Sequence, residues 1–317
     1  MSFARIRRWK IWNNLKMGWV NLFTLPISLP ANVIIVASHG SSKVPLRLFR
    51  HLSLYYQTSP RLLLNFSDYG TKYLLDGVPP EQKVVPKYGR VTGDPNRHVS
   101  SPDIIRFEDF GGHKIFREKF ERRLTMSIFR FFWRRKLLNY SYRPFYKAIY
   151  KKIEDLVKLP TNEGVPIILF DIHDVGNRVL GRWKKEDWFR KEKFPKVVIS
   201  NAPQEQTGEN SFGTAPNYLM KKFAATLAQN LEISPQEVRI NFVYKGGNII
   251  KQFGNPRENF RLRHILKKKP IFAIQVEFNR SFYLNEVNQR KYGQKMRFVR
   301  NALLHSIVEI GNLDKTE

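Results

Sequence analysis

Short runs of apolar, largely β-branched residues recur along this chain, and their length is typical of strands rather than helices. They occupy positions 33–37, 166–170 and 197–200, and a fourth opens the longer segment 271–283, in which Gln275 and Glu277 interrupt the apolar residues. A run that is apolar at every position fits a strand covered by helices on both faces. Residues 141–157 precede the second run with helical spacing, and residues 296–307 follow the last run in the same way. This order of helices and strands predicts a layered α/β domain.

Polar residues stand at the ends of three of these runs. His39 closely follows the first run, Asp171 and His173 follow the second, and Glu277 lies near the end of the last one. The carboxyl ends of core strands are where α/β sheets present their sites. Asp171 and His173 share one face of an extended strand, so the carboxylate can orient the imidazole. We therefore take His39, His173 and Glu277 as candidate site residues.

Two further segments have both a structural and a functional interpretation. Residues 84–97 end in Asp-Pro-Asn-Arg, which is either an Asx-turn at the surface or a clamp for an anionic group. Residues 244–247, Tyr-Lys-Gly-Gly, predict a turn that leads into a strand and can frame a ligand.

Cysteine is absent from the 317 residues, which excludes disulfides and thiolate ligands. Any metal site must therefore use His, Asp or Glu. Two imidazoles and one carboxylate form a ligand set found in hydrolytic zinc centres, which keep one position open for water. The lack of cysteine also suits a reducing compartment, so we expect a cytoplasmic location.

A formal net charge of +28 favours anionic partners. Residues 1–29 form a basic, Trp-rich arm, and no acidic residue precedes Asp68. Such an arm can lie on an anionic membrane, which would make the protein membrane-peripheral. An arm packed on the protein, a disordered leader and a signal peptide are the alternatives. No run approaches the ~20 apolar residues of a membrane-spanning helix.

The remaining residues, 30–317, are predicted to form one catalytic domain, because they contain no internal repeat and no linker rich in Gly, Ser or Pro. They also carry no zinc-finger, RRM or KH signature, so nucleic acid is not an expected partner.

Several short motifs follow one another in order between about residues 33 and 310. They are Ser-His-Gly-Ser-Ser-Lys-Val-Pro at 38–45, Ser-Asp-Tyr at 67–69, Arg90 through Arg97, Tyr-Arg-Pro-Phe-Tyr at 142–146, Asp-Ile-His at 171–173, Lys-Gly-Gly at 245–247 and Val-Glu-Phe-Asn-Arg at 276–280. As a set they resemble the N-formylglutamate amidohydrolase family, which is related to the zinc carboxypeptidases and to aspartoacylase.

The resemblance implies a zinc-carboxypeptidase-like (phosphorylase/hydrolase-like) fold, that is, a three-layer α/β/α arrangement around a mixed β-sheet. It also implies zinc-dependent hydrolysis of the amide of a small N-acyl acidic amino acid similar to N-formylglutamate.

The resemblance further implies roles for individual residues. The metal ligands would include His39 and His173, and Glu277 would be the general base. The residue that polarises the carbonyl would be Arg90. The substrate carboxylate would be bound by Asn96, Arg97, Arg280 and Tyr283.

The third metal ligand does not follow from the carboxypeptidase pattern, in which a Glu stands three residues after the first His. Ser42 occupies that position here. We hypothesise that Asp68 is the third ligand, because it lies in the next motif. Asp174 also departs from the family pattern, which more often has Ser, and predicts a negative charge near the metal.

Two functions from different classes are consistent with these patterns. One is a zinc-dependent amidohydrolase. The other is a catalytically silent family member that binds an anionic membrane or nucleic acid through its basic arm and helices. A complete set of metal ligands favours the enzyme.

Overall fold

The structure is a computed structural model that describes residues 28–59, 62–109, 112–159, 164–176, 194–203, 213–255, 259–263, 265, 269–285 and 290–312. The predicted basic arm lies outside the described residues except for its last two positions.

The centre of the fold is a six-stranded mixed sheet with the order β2-β1-β3-β6-β4-β5. Its strands are β1 (Val33–Val36), β2 (Lys83–Val84), β3 (Ile167–Val175), β4 (Val197–Ser200), β5 (Val238–Ile240) and β6 (Ile271–Asn279). The neighbouring strands β2, β1, β3 and β6 are parallel, whereas β4 runs antiparallel to β6 and parallel to β5. A separate hairpin pairs β7 (Leu284–Asn285) with β8 (Arg290–Lys291).

Ten α-helices surround the sheet in the described part of the chain. They are α1 (Leu46–Phe49), α2 (Leu54–Thr58), α3 (Leu62–Phe66), α4 (Thr71–Leu74), α5 (Glu118–Thr125), α6 (Ser127–Leu138), α7 (Tyr142–Lys158), α8 (Asn217–Asn230), α9 (Asn248–Gly254) and α10 (Gly293–Gly311). In the same residues, no helix combines the length and apolar content that a bilayer crossing requires.

The sheet separates two hydrophobic cores, because side chains alternate between its faces. Val33 and Ile35 of β1 point into the core built by α8, α10 and α4. Ile34 and Val36 point into the other core, which helices α1–α3, α5–α7 and α9 complete. The predicted three-layer α/β/α fold with a mixed sheet is therefore confirmed.

Strand β3 is longer than its apolar run predicts. It continues through Asp171, His173 and Asp174 to Val175, and all nine of its residues are buried. The polar residues thus lie within the strand rather than after it.

The prediction of a strand after the Tyr-Lys-Gly-Gly turn is wrong, because helix α9 begins there instead. Ile249, Ile250 and Phe253 form one buried stripe of this helix, and spacing of this kind allows either structure in so short a segment.

The register of the parallel strands brings the predicted site residues to one edge of the sheet. Val36 at the end of β1 pairs with Asp171 of β3, and His173 pairs with Glu277 of β6. Strand β1 ends at Val36, and the turn that carries His39 begins two residues later. The carboxyl ends of three adjacent strands therefore present two imidazoles and a carboxylate together.

The buried strands predict a large difference between two Leu→Ala substitutions. Leu169 in β3 is fully buried, whereas Leu46 at the start of α1 is 90% exposed. We expect Leu169→Ala to lower the free energy of unfolding by about 2–5 kcal/mol, because it leaves a cavity in a packed core. Leu46→Ala should change it by less than about 0.5 kcal/mol. Urea denaturation measures both values, and similar losses in the two variants would contradict the layered core.

Candidate metal centre

His39 and Asp68 are held by backbone contacts between two turns. The Gly40 amide donates to the Ala37 carbonyl at 3.0 Å and closes the turn around His39. The Asp68 amide donates to the His39 carbonyl at 3.1 Å, and the Thr71 hydroxyl donates to the Asp68 carbonyl at 2.6 Å. These contacts fix the carboxylate of Asp68 beside the imidazole of His39.

The side chains of His39, Asp68 and His173 converge at the sheet edge. Oδ2 of Asp68 lies 3.1 Å from Nδ1 of His39 and 2.8 Å from Nδ1 of His173. The two rings meet edge to face with their centroids 4.8 Å apart. All three residues are buried, and their ligand atoms lie within 4.8 Å of one another.

The outer nitrogen of each imidazole meets a second carboxylate. Nε2 of His39 lies 2.6 Å from Oδ1 of Asp94, and Nε2 of His173 lies 2.8 Å from Oδ2 of Asp171. An ionised carboxylate only accepts hydrogen bonds, so both rings carry a proton on Nε2. When the rings are neutral, each Nδ1 is an acceptor that faces Asp68.

With one proton on each ring, the two Nδ1 atoms and Oδ2 of Asp68 are three acceptors that face one another. They then need positive charge between them, either as a second proton on each imidazole or as a metal cation. The donor set fits a divalent metal ion, because protein histidines that bind a metal commonly donate their other N–H to a carboxylate. Ligands of tetrahedral zinc stand roughly 3.3 Å apart, which follows from bonds of about 2.0–2.1 Å. The distances of 3.1 and 2.8 Å from Oδ2 of Asp68 to the two Nδ1 atoms are hydrogen-bond distances somewhat below that value.

The charges around the centre keep Asp68 and Asp94 ionised. Burial raises the pKa of the Asp68 carboxyl, but His39 and His173 outweigh burial and hold that pKa well below its ordinary value. Asp94 behaves in the same way, because Arg90 and His39 outweigh its burial and keep its pKa well below the ordinary range.

Glu277 lies beside this centre on the neighbouring strand and is buried. Its Oε1 accepts a hydrogen bond of 2.8 Å from Nε2 of Gln275. The side-chain oxygen Oε1 of Gln275 in turn accepts a hydrogen bond of 2.6 Å from the backbone amide of Gly247. Burial raises the pKa of Glu277 to about 7; His173 opposes this rise and Asp68 adds to it. Near neutral pH the side chain can therefore both accept and release a proton.

Gly247 fits its position only because it lacks a side chain. A Cβ atom there would lie 2.1 Å from Nδ2 of Asn96. The same loop holds Val243 at a φ of 63°, a strained conformation for a β-branched residue. Strain of this kind persists where the surrounding structure fixes the backbone, and it clusters at functional sites.

Asn96 joins this loop to the centre. Its Oδ1 accepts a hydrogen bond of 3.1 Å from the Ile249 amide, and its Nδ2 lies 3.4 Å from Nε2 of His173. The backbone amide of Asn96 donates to Oδ1 of Asp94 at 3.0 Å. Asn96 is half-buried and so reaches the border between the centre and the surface.

The arginines of the 84–97 segment lie at different depths. Arg90 is buried, and its Nε donates to Oδ2 of Asp94 at 3.1 Å, so it contacts the carboxylate that holds His39. Arg97 is exposed. No sequence motif indicated Arg106. Burial and then the charge of Arg90 lower the pKa of its guanidinium to about 10, and the charge of Asp94 opposes this.

Arg280 and Tyr283 lie on the opposite face of the sheet from the imidazoles, together with Asp174. Nε of Arg280 donates to Oδ1 of Asp174 at 2.6 Å, and the Tyr283 hydroxyl donates to Oδ2 of the same carboxylate at 2.8 Å. Arg280 also donates to the Ser67 carbonyl at 2.8 Å and lies 3.9 Å from Oδ1 of Asp68. The charge of Asp174 is thus compensated by Arg280 rather than directed at the centre.

The structure therefore brings together His39, Asp68, His173 and Glu277, with Arg90 and Asn96 at their border. It leaves Arg97 at the surface, and it buries Arg280 and Tyr283 against Asp174. The sequence signals missed Asp94 as the partner of His39, because 55 residues separate the two. They also missed Gln275, although it shares a strand face with Glu277.

The buried pair of Arg280 and Asp174 generates a stability prediction. Arg280→Met leaves a buried carboxylate without its cation and should lower the free energy of unfolding by about 3–5 kcal/mol. Adding Asp174→Leu removes that charge and should restore part of the loss. Urea denaturation of the single and double variants measures the coupling.

An exposed ion pair provides the control for this comparison. Arg261 and Glu154 lie 2.8 Å apart with side chains 57% and 37% exposed. Arg261→Met should cost less than about 1 kcal/mol. If Arg280→Met cost no more than this control, the buried pair would not support the site.

Comparison with known proteins agrees with the geometry. The family model for N-formylglutamate amidohydrolase matches residues 31–284. The N-formylglutamate amidohydrolase from Ralstonia eutropha JMP134 has a similar structure, with a TM-score of 0.63 and 17% identity over 90% of this chain and 95% of that chain. A gene product from Agrobacterium tumefaciens has a TM-score of 0.51 and 14% identity over 88% and 90% of the two chains.

None of the curated protein sequences compared with this chain matches it. At such low identities the two structures show a shared fold, whereas the family model covers most of the chain. The chain belongs to the N-formylglutamate amidohydrolase family.

Proposed function

We propose that the protein is a zinc-dependent amidohydrolase that cleaves the amide of a small N-acyl acidic amino acid such as N-formylglutamate. The observation that carries this proposal is the convergence of His39, Asp68 and His173 beside Glu277. Family membership supports hydrolysis of a carbon–nitrogen amide bond. A complete ligand set favours the enzyme over a catalytically silent member of the family.

The ligands in this proposal are Nδ1 of His39, Nδ1 of His173 and Oδ2 of Asp68. A zinc ion held there would supply a Lewis acid and a nucleophilic water at neutral pH. Asp94 and Asp171 accept hydrogen bonds from the Nε2 protons, so each ring would offer its Nδ1 lone pair to the ion. The buried carboxylates also strengthen the basicity of both rings.

Glu277 acts as the general base in the proposed reaction. It accepts a proton from the attacking water and later delivers it to the leaving amine nitrogen, so the products are the free acid and the amino acid. Gln275 holds one carboxylate oxygen of Glu277 and leaves the other for this transfer. Burial keeps the proton affinity of Glu277 close to what neutral pH requires.

The positive groups near Asp94 suit an anionic substrate. We assign to Arg90 the stabilisation of the carbonyl oxygen, and to Asn96 and Arg97 the binding of a substrate carboxylate, because guanidinium and carboxylate pair through two hydrogen bonds. Arg106 adds positive charge to the same side.

Arg280 and Tyr283 act indirectly in this proposal. They hold Asp174 and the Ser67–Asp68 turn, and so position the metal ligand Asp68 rather than the substrate.

Loss of a supporting carboxylate should weaken zinc binding without unfolding the protein. We expect Asp171→Asn to reduce zinc affinity about 10- to 100-fold, because His173 loses its anionic partner. Competition with a chromogenic chelator measures the affinity. Asp155→Asn, at an exposed position of α7, is the matched control and should bind zinc normally. Equal affinities in all three proteins would contradict the assigned ligand set.

Glu277→Gln tests the general base. It should reduce kcat by at least about 10²–10⁴-fold while zinc stoichiometry and the unfolding midpoint are retained, because the amide cannot accept the proton. Formate or acetate release from N-formyl and N-acetyl glutamate and aspartate measures the activity. Glu309→Gln, at an exposed position of α10, should retain full activity. Normal turnover in Glu277→Gln would exclude the proposed mechanism.

The pKa of Glu277 predicts how activity depends on pH. Only the carboxylate form is a base, so kcat/KM should fall as pH falls through that pKa. The value of about 7 sets the upper limit of this acid limb, because a bound cation lowers the pKa further. A pH profile of the wild type locates the limb, and an acid limb well above pH 7 would assign the base to another group.

A further inference from the structure

Helix α6 presents three phenylalanines to solvent within four residues. Phe129, Phe131 and Phe132 are 48%, 73% and 59% exposed. Single exposed apolar residues are ordinary on protein surfaces, but a contiguous group of large ones marks a contact surface. Phe129 and Phe132 are three residues apart and share one side of the helix, and Phe131 lies about 100° further round from Phe132. We call these three residues the aromatic face.

The rest of α6 is fixed to the body of the protein. Leu137 and Leu138 are buried in the core, and the ring of Trp133 packs edge to face on Phe120 at 5.1 Å. Arg134 donates to the Ser101 carbonyl at 3.1 Å. The aromatic face is therefore the outward side of a docked helix.

Cations surround the aromatic face, and α6 contains no acidic residue. Arg130 and Arg135 are exposed. In a helix with about 100° between successive residues, Arg135 projects between Phe131 and Phe132. The ammonium group of Lys136 lies 5.9 Å from the ring centroid of Phe132.

More positive charge lies at the base of the helix. The pKa of His51, which stacks on Phe120 at 4.3 Å, is lowered first by its burial and then by Arg50, Arg123, Arg117 and Lys136. On α5, Arg122 pairs with Glu118, and Glu121 lies 3.4 Å from Lys114. Both acids of α5 are thus paired with cations.

The charge of this surface selects among possible partners. The N-terminal arm has no acidic residue, and the chain as a whole carries a net charge of +28, so neither the arm nor a second copy complements it. Single-stranded nucleic acids bind in positively charged grooves, whereas the three phenylalanines lie on the outward side of a docked helix. An interfacial helix instead buries an apolar side in lipid and places its cations on anionic headgroups.

We propose that the aromatic face of α6 docks in the plane of an anionic phospholipid membrane. The phenylalanine rings enter the boundary between headgroups and acyl chains, while Arg135 and Lys136 contact lipid phosphates. A helix of 12 residues is too short to cross a bilayer, so the contact is peripheral. This proposal is independent of the hydrolytic activity.

Co-sedimentation of the full chain with vesicles tests the proposal. Vesicles of phosphatidylcholine with about 30% phosphatidylserine should bind the protein, and pure phosphatidylcholine should bind it much less. The double variant Phe131→Ser with Phe132→Ser should bind at least about tenfold more weakly, because two apolar groups leave the contact. Raising the salt from about 0.1 to 0.5 M should also weaken binding, because the charges are screened.

Two aromatic residues elsewhere provide the matched control. Tyr218 and Tyr292 are 53% and 41% exposed, and replacing both by Ser should leave vesicle binding unchanged. All substituted residues are exposed, so the unfolding midpoints should stay close to that of the wild type. Unchanged binding of the Phe double variant would overturn the proposal. It would also be overturned if a structureless RNA bound through the same phenylalanines while vesicles did not bind.

Discussion

The carboxylate of Asp68 lies between two imidazoles, and much of the site is arranged around that contact. Asp68 is 29 residues from His39 and 105 residues from His173, so the contact joins segments that are remote in the chain. Two acceptor nitrogens and a carboxylate are stable together only with positive charge among them. The surrounding carboxylates are likewise compensated by cations. Arg90 pairs with Asp94, and Arg280 pairs with Asp174 close to Asp68.

The sheet makes this arrangement possible because its central strands are parallel. Parallel neighbours bring their carboxyl ends to the same edge, and β1, β3 and β6 each deliver a part of the site there. The antiparallel β4 then closes β6 on its other side, with Val198 paired to Glu277. Glu277 is thereby buried between two strands, and this burial is what raises its pKa.

The sequence predicted the layers, the central strands, several helices and the meeting of His39, Asp68 and His173. Apolar runs and helical periodicity depend on local spacing, and so they can be interpreted directly. The length of β3 was underestimated because polar residues such as Asp171 and His173 usually mark the end of a buried run. Here hydrogen bonds to other buried groups satisfy them inside the strand.

Other features depend on tertiary contacts that no local pattern records. Asp94 became a partner of His39 only through the fold. Arg280, which the resemblance assigned to the substrate, donates to Asp174 in the structure, and this contact joins segments 106 residues apart.

Strand β3 serves both faces of the sheet within four residues. Asp171 and His173 project to one side, and Asp174 projects to the other, where it meets Arg280 and Tyr283. Inserting or deleting one residue upstream in β3 would exchange the two sets and turn Asp171 and His173 into the opposite core. A change in the length of this strand should therefore be far more damaging to the protein than the exchange of one side chain for another.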